Sequence, residues 1–189
     1  MTLPSMVEPA AAVLLGAGGS LPITSLNKAL FYLDLSWLRD HGETMTSATY
    51  LALPQGPVVA KYPTRLVAAL EEASVALQDD AEDGFAKPVC LTKEPAFVAL
   101  TEEQVDRAKQ IGRWAASKKA GELSQYSHDN MGWQIAWARG LGAKRPAQKL
   151  DLRIAMQQLL ERDPWLEEAP DAELEARLRA ADDEAGAAW

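Results

Sequence analysis

The chain has 189 residues, 48% hydrophobic, which suits one folded domain, or a domain with a tail, rather than a disordered chain. No apolar run approaches the roughly 18 residues of a membrane span, and the first residues lack the basic stretch of a secretory signal. The single cysteine cannot form an internal disulfide, so a reducing cytoplasm is expected, and the net charge of −8 speaks against general nucleic-acid binding.

A first helix is expected over Val7–Leu15, stopped by Gly16, Gly18 and Gly19. Thr24 or Ser25 can cap a second that runs to Asp40 and ends at Gly42. Met45–Leu53 alternates like a strand, closed by Pro54. Tyr62–Leu77 reads as an amphipathic helix, with Pro63 near its start and Leu66, Leu70 and Ala73 in register. Asp79–Gly84 is a polar turn, and Phe85–Leu91 reads as a short strand pairing with the first. Thr101 followed by Gln104 forms a capping box for a helix whose buried stripe is Val105, Ala108, Ile111 and Ala115, ending at Gly121. Shorter helices follow over Glu122–His128, Gly132–Arg139 and Leu150–Glu161, and Asp171–Glu184 is an acidic helix or tail. From Glu161 onward, ten acidic and three basic residues place −7 on the tail, leaving −1 for the first 160 residues. The expected fold is α+β and mostly α-helical: a compact helical domain over 1–160 with a small antiparallel hairpin or sheet, then an acidic C-terminal helix or tail over 161–189.

Candidate chemistry is sparse. His41, His128 and Cys90 are too few for the common Cys/His zinc constellations. Ser127-His128-Asp129 invites a triad reading, but adjacent side chains cannot readily converge on one reacting atom. Gly16-Ala17-Gly18-Gly19-Ser20 has no preceding strand and no Gly-Lys-Ser/Thr, so a helix end explains it better than a phosphate loop. Cys90 sits in an apolar run and reads as a small core residue. No catalytic residue, metal ligand or cofactor is therefore expected.

Two basic clusters stand out: Arg107, Lys109, Arg113, Lys118 and Lys119, then Arg139, Lys144, Arg145, Lys149 and Arg153. Each reads first as a solvated face, and otherwise as a surface for an acidic partner or for the protein's own acidic tail. No helix-turn-helix spacing with a basic recognition helix supports sequence-specific DNA binding. Trp133 and Trp137, four residues apart, can share one helix face and close the core beside Trp114, or one can serve as an exposed anchor. Trp165 and Trp189 lie in or near the polar tail, where an indole is harder to bury and suggests docking.

Within Ser25–Pro57, Leu26, Leu30, Leu33 and Trp37 form one apolar stripe of a helical wheel, and Phe31, Leu35 and Leu38 a second, with Asn27 and Asp34 between them. Such a helix is central, and a carboxylate held between greasy flanks needs partners. Asp34 is expected to tie down a backbone amide or a hydroxyl of the hairpin, the alternative being that it lines a partner groove. Pro54, Gly56 and Pro57 make a rigid turn into the next helix.

These residues carry a resemblance. Leu26-Asn27-Lys28-Ala29-Leu30-Phe31-Tyr32-Leu33-Asp34, then Met45-Thr46, and Tyr50 to Gly56-Pro57-Val58 resemble the signature of the SocA-like, or Panacea, antitoxin family, which includes phage-associated GepA-type proteins. The family pattern is a Lys-Leu-hydrophobic-Tyr-Phe-Ala-Asp helix, an Ile-Thr-Gly-Asp hairpin and a closing Gly-Pro-Val. Downstream, Leu123-Ser124 and Ser127-His128 with Trp133 resemble its Leu-Ser…His…Trp element. The likeness spans about Val7–Gly140. Ser47-Ala48 departs from the hairpin's usual Gly-Asp, and Gln55 stands where an aromatic is common.

The resemblance implies an antitoxin that neutralises, by direct binding, a toxin encoded beside it. At least one member is instead an adaptor delivering its toxin to a ClpXP-type protease, and a DNA-binding regulator is a further alternative. Asp34, Thr46, Ser47, Tyr50, Gln55, His128, Trp133, Trp137 and Trp165 are the expected partner-binding residues. Ser25–Pro57 itself reads as scaffold, with the partner-specific surface in Met45–Tyr50, His128–Trp137 or the acidic tail.

Overall fold

The computed structural model describes residues 6–78 and 87–166. The turn expected over Asp79–Gly84, the acidic helix or tail over Asp171–Glu184 and Trp189 lie outside them. Helix α1 (Val7–Gly16) leads through strand β1 (Ser20–Pro22) into α2 (Ile23–His41). Every residue of α2 from Ser25 to Trp37 is buried, as two opposed apolar stripes require. The helix starts earlier than Thr24 or Ser25: Pro22 holds the cap position without a side-chain bond, and the Ile23 N–H donates to the Lys87 carbonyl at 3.1 Å. Gly42, at φ +78, ends it as expected.

The hairpin is shorter and differently paired than the periodicity suggests. Strand β2 covers Tyr50–Leu53 only and pairs with β3 (Gly56–Val59), not with the Phe85–Leu91 run. The prolines of Leu53–Pro57 hid β3. Pro57 lies opposite Ala52, whose own N–H turns away to Gln148, so the proline's missing donor costs the β2–β3 ladder nothing. Met45–Thr49 is an irregular approach, with Ser47 left-handed at φ +54.

The helix expected over Tyr62–Leu77 is also cut short. A π-helical turn (Pro63–Val67) continues as α3 (Ala68–Glu72), and Ser74 at φ +52 breaks the helix before strand β4 (Ala76–Gln78). Strand β5 (Pro88–Leu91) then lies between β1 and β4 in a three-stranded antiparallel sheet. Cys90, half-buried there, lies 3.2 Å from the Ser20 hydroxyl.

Helix α4 (Glu102–Ala116) begins at the capping box: the Thr101 hydroxyl accepts the Gln104 N–H at 3.3 Å, and Gln104 accepts the Thr101 N–H at 2.8 Å. It stops five residues before Gly121, which lies inside α5 (Ala120–His128) because Glu122 accepts the Lys119 N–H at 2.7 Å and restarts the helix. Crossing α1 and α4 touch backbone to backbone, since a Cβ on Gly16 would collide with the Lys109 carbonyl and one on Gly112 with that of Val13. Helix α6 (Met131–Arg139) follows, capped by Asn130. The expected Leu150–Glu161 helix divides: Leu150 donates to the Tyr50 carbonyl beside β2, and only Leu152–Ala155 (α7) is α-helical, followed by a 3₁₀ turn over Met156–Leu159.

Packing continues past residue 160. Arg39 on α2 holds Asp163 through both terminal guanidinium nitrogens and donates to the Leu159 carbonyl at 2.8 Å, which seats Trp165 against Trp114 with ring centres 5.9 Å apart. The two arginines Arg39 and Arg107 hold the Asp40 carboxyl down at about 2. No helix among the described residues is long and apolar enough to cross a membrane.

Candidate functional site

Asp34 is fully buried where α2 passes behind the approach to β2. It accepts the Thr46 N–H at 2.7 Å, the Thr46 hydroxyl and the Tyr50 phenol at 2.8 Å. Burial raises its carboxyl to about 6, partly offset by these bonds. Asp34, Thr46 and Tyr50 thus form an internal latch and face away from solvent. The latch also fixes Met45–Thr49: the Thr46 hydroxyl accepts the Ala48 N–H at 3.1 Å, and Ser47 is carried to the surface.

The β2–β3 turn is clamped from behind. Trp133 on α6 donates its indole N–H to the Leu53 carbonyl at 3.1 Å, Ser124 on α5 its hydroxyl to that of Gln55 at 3.2 Å, and Lys28 on α2 its amine to that of Pro57 at 3.3 Å. Three helices therefore hold three carbonyls of one turn, while Pro54 and Gln55 stand exposed at its tip. Gly56 is at φ +103 with Ser127 and Lys28 against it, so no side chain fits there. The Ser127 hydroxyl donates to the Ser124 carbonyl at 2.8 Å, and the His128 ring stacks elsewhere.

Lys28 is 1% exposed and forms no ion pair among the described residues; burial pulls its amine down to about 8. Between about pH 8 and 10.5 the unfolded chain keeps a proton that the folded protein has released, so stability rises with pH across that window, is fully present above it and is lost as pH falls through 8. Lys28→Met is expected to match or exceed wild-type stability by about 1 kcal/mol at pH 7, since an apolar side chain removes a buried charge. It should also abolish the alkaline rise, as urea midpoints at pH 7 and 9.5 would show.

Beside the clamp runs an aromatic ladder. His128 stacks on Trp133 at 4.3 Å and 21°, and Trp133 on Trp137 at 5.3 Å and 13°. Trp133 is buried, whereas His128 and Trp137 are half-buried. The pair does not join Trp114, which packs with Tyr32, Tyr126 and Trp165 in a second cluster. Trp165 is buried there, docked on the body of its own chain. After α6 the backbone turns through Leu141, Gly142 and Ala143 at φ +51, +60 and +70, three left-handed residues in succession. The last of them borders a cavity of about 230 Å³ lined by Ala52, Leu53, Ala136, Trp137, Gly140, Ala143, Arg145 and Ala147. Leu53 belongs to both the clamped turn and this cavity, so tip, ladder and cavity are contiguous.

Residues 26–134 match the family model described as antitoxin SocA-like, Panacea domain, over more than half of the chain. The chain belongs to this antitoxin family. No curated protein and no solved structure gives a match. Membership carries an antitoxin role, and with it a toxin as partner, in general terms. In this SocA-like protein the matched span holds the latch, the clamp and the His128–Trp133 rung of the ladder. Trp137, the left-handed turn and Trp165 lie beyond it. Of the nine residues singled out in the sequence, Gln55, His128, Trp133 and Trp137 share one region, Asp34, Thr46 and Tyr50 sit beneath it, Ser47 marks the surface of the Asp34-held loop, and Trp165 lies in the second cluster. Lys28, met in the sequence only within the family motif, and Arg145, met only within a basic cluster, were not among those nine. A lysine on a helix buried on every side was the available signal for the first. For the second there was only its place in a basic cluster.

Proposed function

We propose that this SocA-like protein is an antitoxin that neutralises, by direct binding in the cytoplasm and without a catalytic step, the toxin encoded by the neighbouring gene. One observation supports direct binding: the exposed Pro54-Gln55 tip is pre-set by side chains from three helices gripping the turn's carbonyls. A loop ordered before it meets its partner loses little conformational freedom on association. The half-buried Trp137 and His128 beside it supply aromatic surface of the kind that anchors protein interfaces.

The test is to express the neighbouring reading frame with and without this protein. Growth arrest by the neighbour alone, relieved on co-expression with recovery of a complex, is the expected result. A neighbour that is harmless alone, or that stays toxic with the protein present, ends the reading. Undiminished toxin in the rescued cells fits sequestration, whereas its disappearance would favour delivery to a ClpXP-type protease.

A further inference from the structure

The cavity beside Trp137 combines three features that the fold does not need. Its side-chain lining is apolar except for Arg145 and the Trp137 indole N–H. Its edge includes strained backbone at the left-handed Ala143, and Leu141, two residues earlier and also left-handed, is left 50% exposed. The chain that passes it is cationic in an acidic protein: Arg145 lines it, Arg139 and Lys144 adjoin its lining residues Gly140 and Ala143 in sequence, Lys149 follows two residues after Ala147, and all four are exposed with no ion pair among the described residues. No carboxylate occurs in the sequence between Asp129 and Asp151.

We propose that this face is where the antitoxin takes hold of its toxin, by receiving an acidic segment that places one apolar or aromatic side chain in the cavity. The proposal rests on the antitoxin reading and deepens it. The apolar side chain fills the space between Trp137 and the alanines of β2, α6 and the loop after it. Carboxylates flanking that side chain meet the four cations, and Arg145 alone touches both zones. A nucleic acid fits less well, because a base's polar edges would meet mostly carbon in the side-chain lining, with the Arg145 guanidinium and the Trp137 indole N–H as its polar groups. The match to the antitoxin family ends at residue 134, so Ala52 and Leu53 of this face lie inside the matched span, whereas Ala136, Trp137 and the cationic loop after them lie outside it.

The experiment uses the full-length protein, the product of the neighbouring reading frame, and a synthetic twelve-residue peptide of Asp and Glu around a single Trp. Lys144→Glu with Arg145→Glu is expected to weaken both complexes by at least about tenfold, with the loss shrinking at high salt. Trp137→Ala should weaken them at any salt, and Arg113→Glu on α4 with Lys118→Glu just after it should change them less than about twofold; circular dichroism checks that each variant is folded. A toxin complex that withstands both the charge reversal and Trp137→Ala overturns the proposal. So does an oligothymidylate that binds in the peptide's place with the same sensitivity, or self-association abolished by the reversal. The chain's own residues 167–189 carry eight acidic and two basic residues. Peptide binding seen only after Asp182, Asp183 and Glu184 are replaced by their amides would give the face to that segment and also overturn the proposal. If wild type and the neighbour's product form no complex, the antitoxin reading fails by itself, and the peptide arm still judges the surface.

Discussion

Replacing Gly56 by alanine is expected to cost about 2–6 kcal/mol of stability, enough to lower the melting temperature by about 10 °C in a domain of this size. Two effects add. At φ +103 a Cβ meets its own backbone, worth about 1–3 kcal/mol. The new methyl would also press on Ser127 and lie 2.9 Å from Lys28 Cε, an overpacking cost of about 1–3 kcal/mol in a filled interior. Gly142→Ala is the control, because φ is +60 there and the nearest packed atom, Trp137 Nε1, is 3.8 Å away, so only about 1 kcal/mol should be lost. Urea unfolding of the two variants decides it, and equal losses would mean that the turn is free to move away from α2 and α5. Because the methyl pushes the clamped turn off its helices, Gly56→Ala should also lose toxin neutralisation at temperatures where it is still folded.

Breaking the Asp34 latch should be nearly as damaging. Asp34→Ala leaves the Thr46 amide, the Thr46 hydroxyl and the Tyr50 phenol without their acceptor in a fully buried place, at about 1–3 kcal/mol for each donor that finds no substitute, or about 4 kcal/mol in all. Asp34→Asn keeps the shape and gives a pH signature. With a folded value of about 6 against an ordinary 3.8, only the folded protein holds the proton between those values. The Asp34 contribution therefore grows as pH falls from 6 to 4, is complete below about 4, and is lost as pH rises through 6. The wild type should accordingly gain up to about 3 kcal/mol on Asp34→Asn between pH 7 and pH 4. Parallel stability curves for the two proteins would show that the carboxylate is not held in a dry interior.

The latch illustrates how far the sequence reaches. Two apolar stripes on one helix, with a carboxylate between them, required a buried Asp34 with donors around it, and a backbone amide and hydroxyls of the hairpin are what it found. The capping box at Thr101 and the stop at Gly42 are equally local, since each is satisfied within about four residues. Strand pairing was not local. Nothing in Phe85–Leu91 says that its neighbours are β1 and β4 rather than β2, because an apolar strand of four residues accepts any partner that the helices bring beside it. Likewise, Tyr62–Leu77 has a helical period throughout, yet Ala76 pays for its burial better as a strand partner of Leu91 than as another helical turn.

For function, the family could be read from the order of short motifs along Leu26–Trp133, because those motifs contain the residues that build the Asp34 latch and the clamped turn. The surface offered to a partner could not. The clamp needs carbonyls, which leave no mark in a sequence, and the left-handed Leu141 and Ala143 have side chains that ordinarily avoid that conformation. The sequence by itself determined the buried α2 helix, its need for polar partners and the family; only the tertiary structure decided that Trp137 and Arg145 border one cavity, because that depends on backbone geometry and on segments distant in the chain converging beside β2.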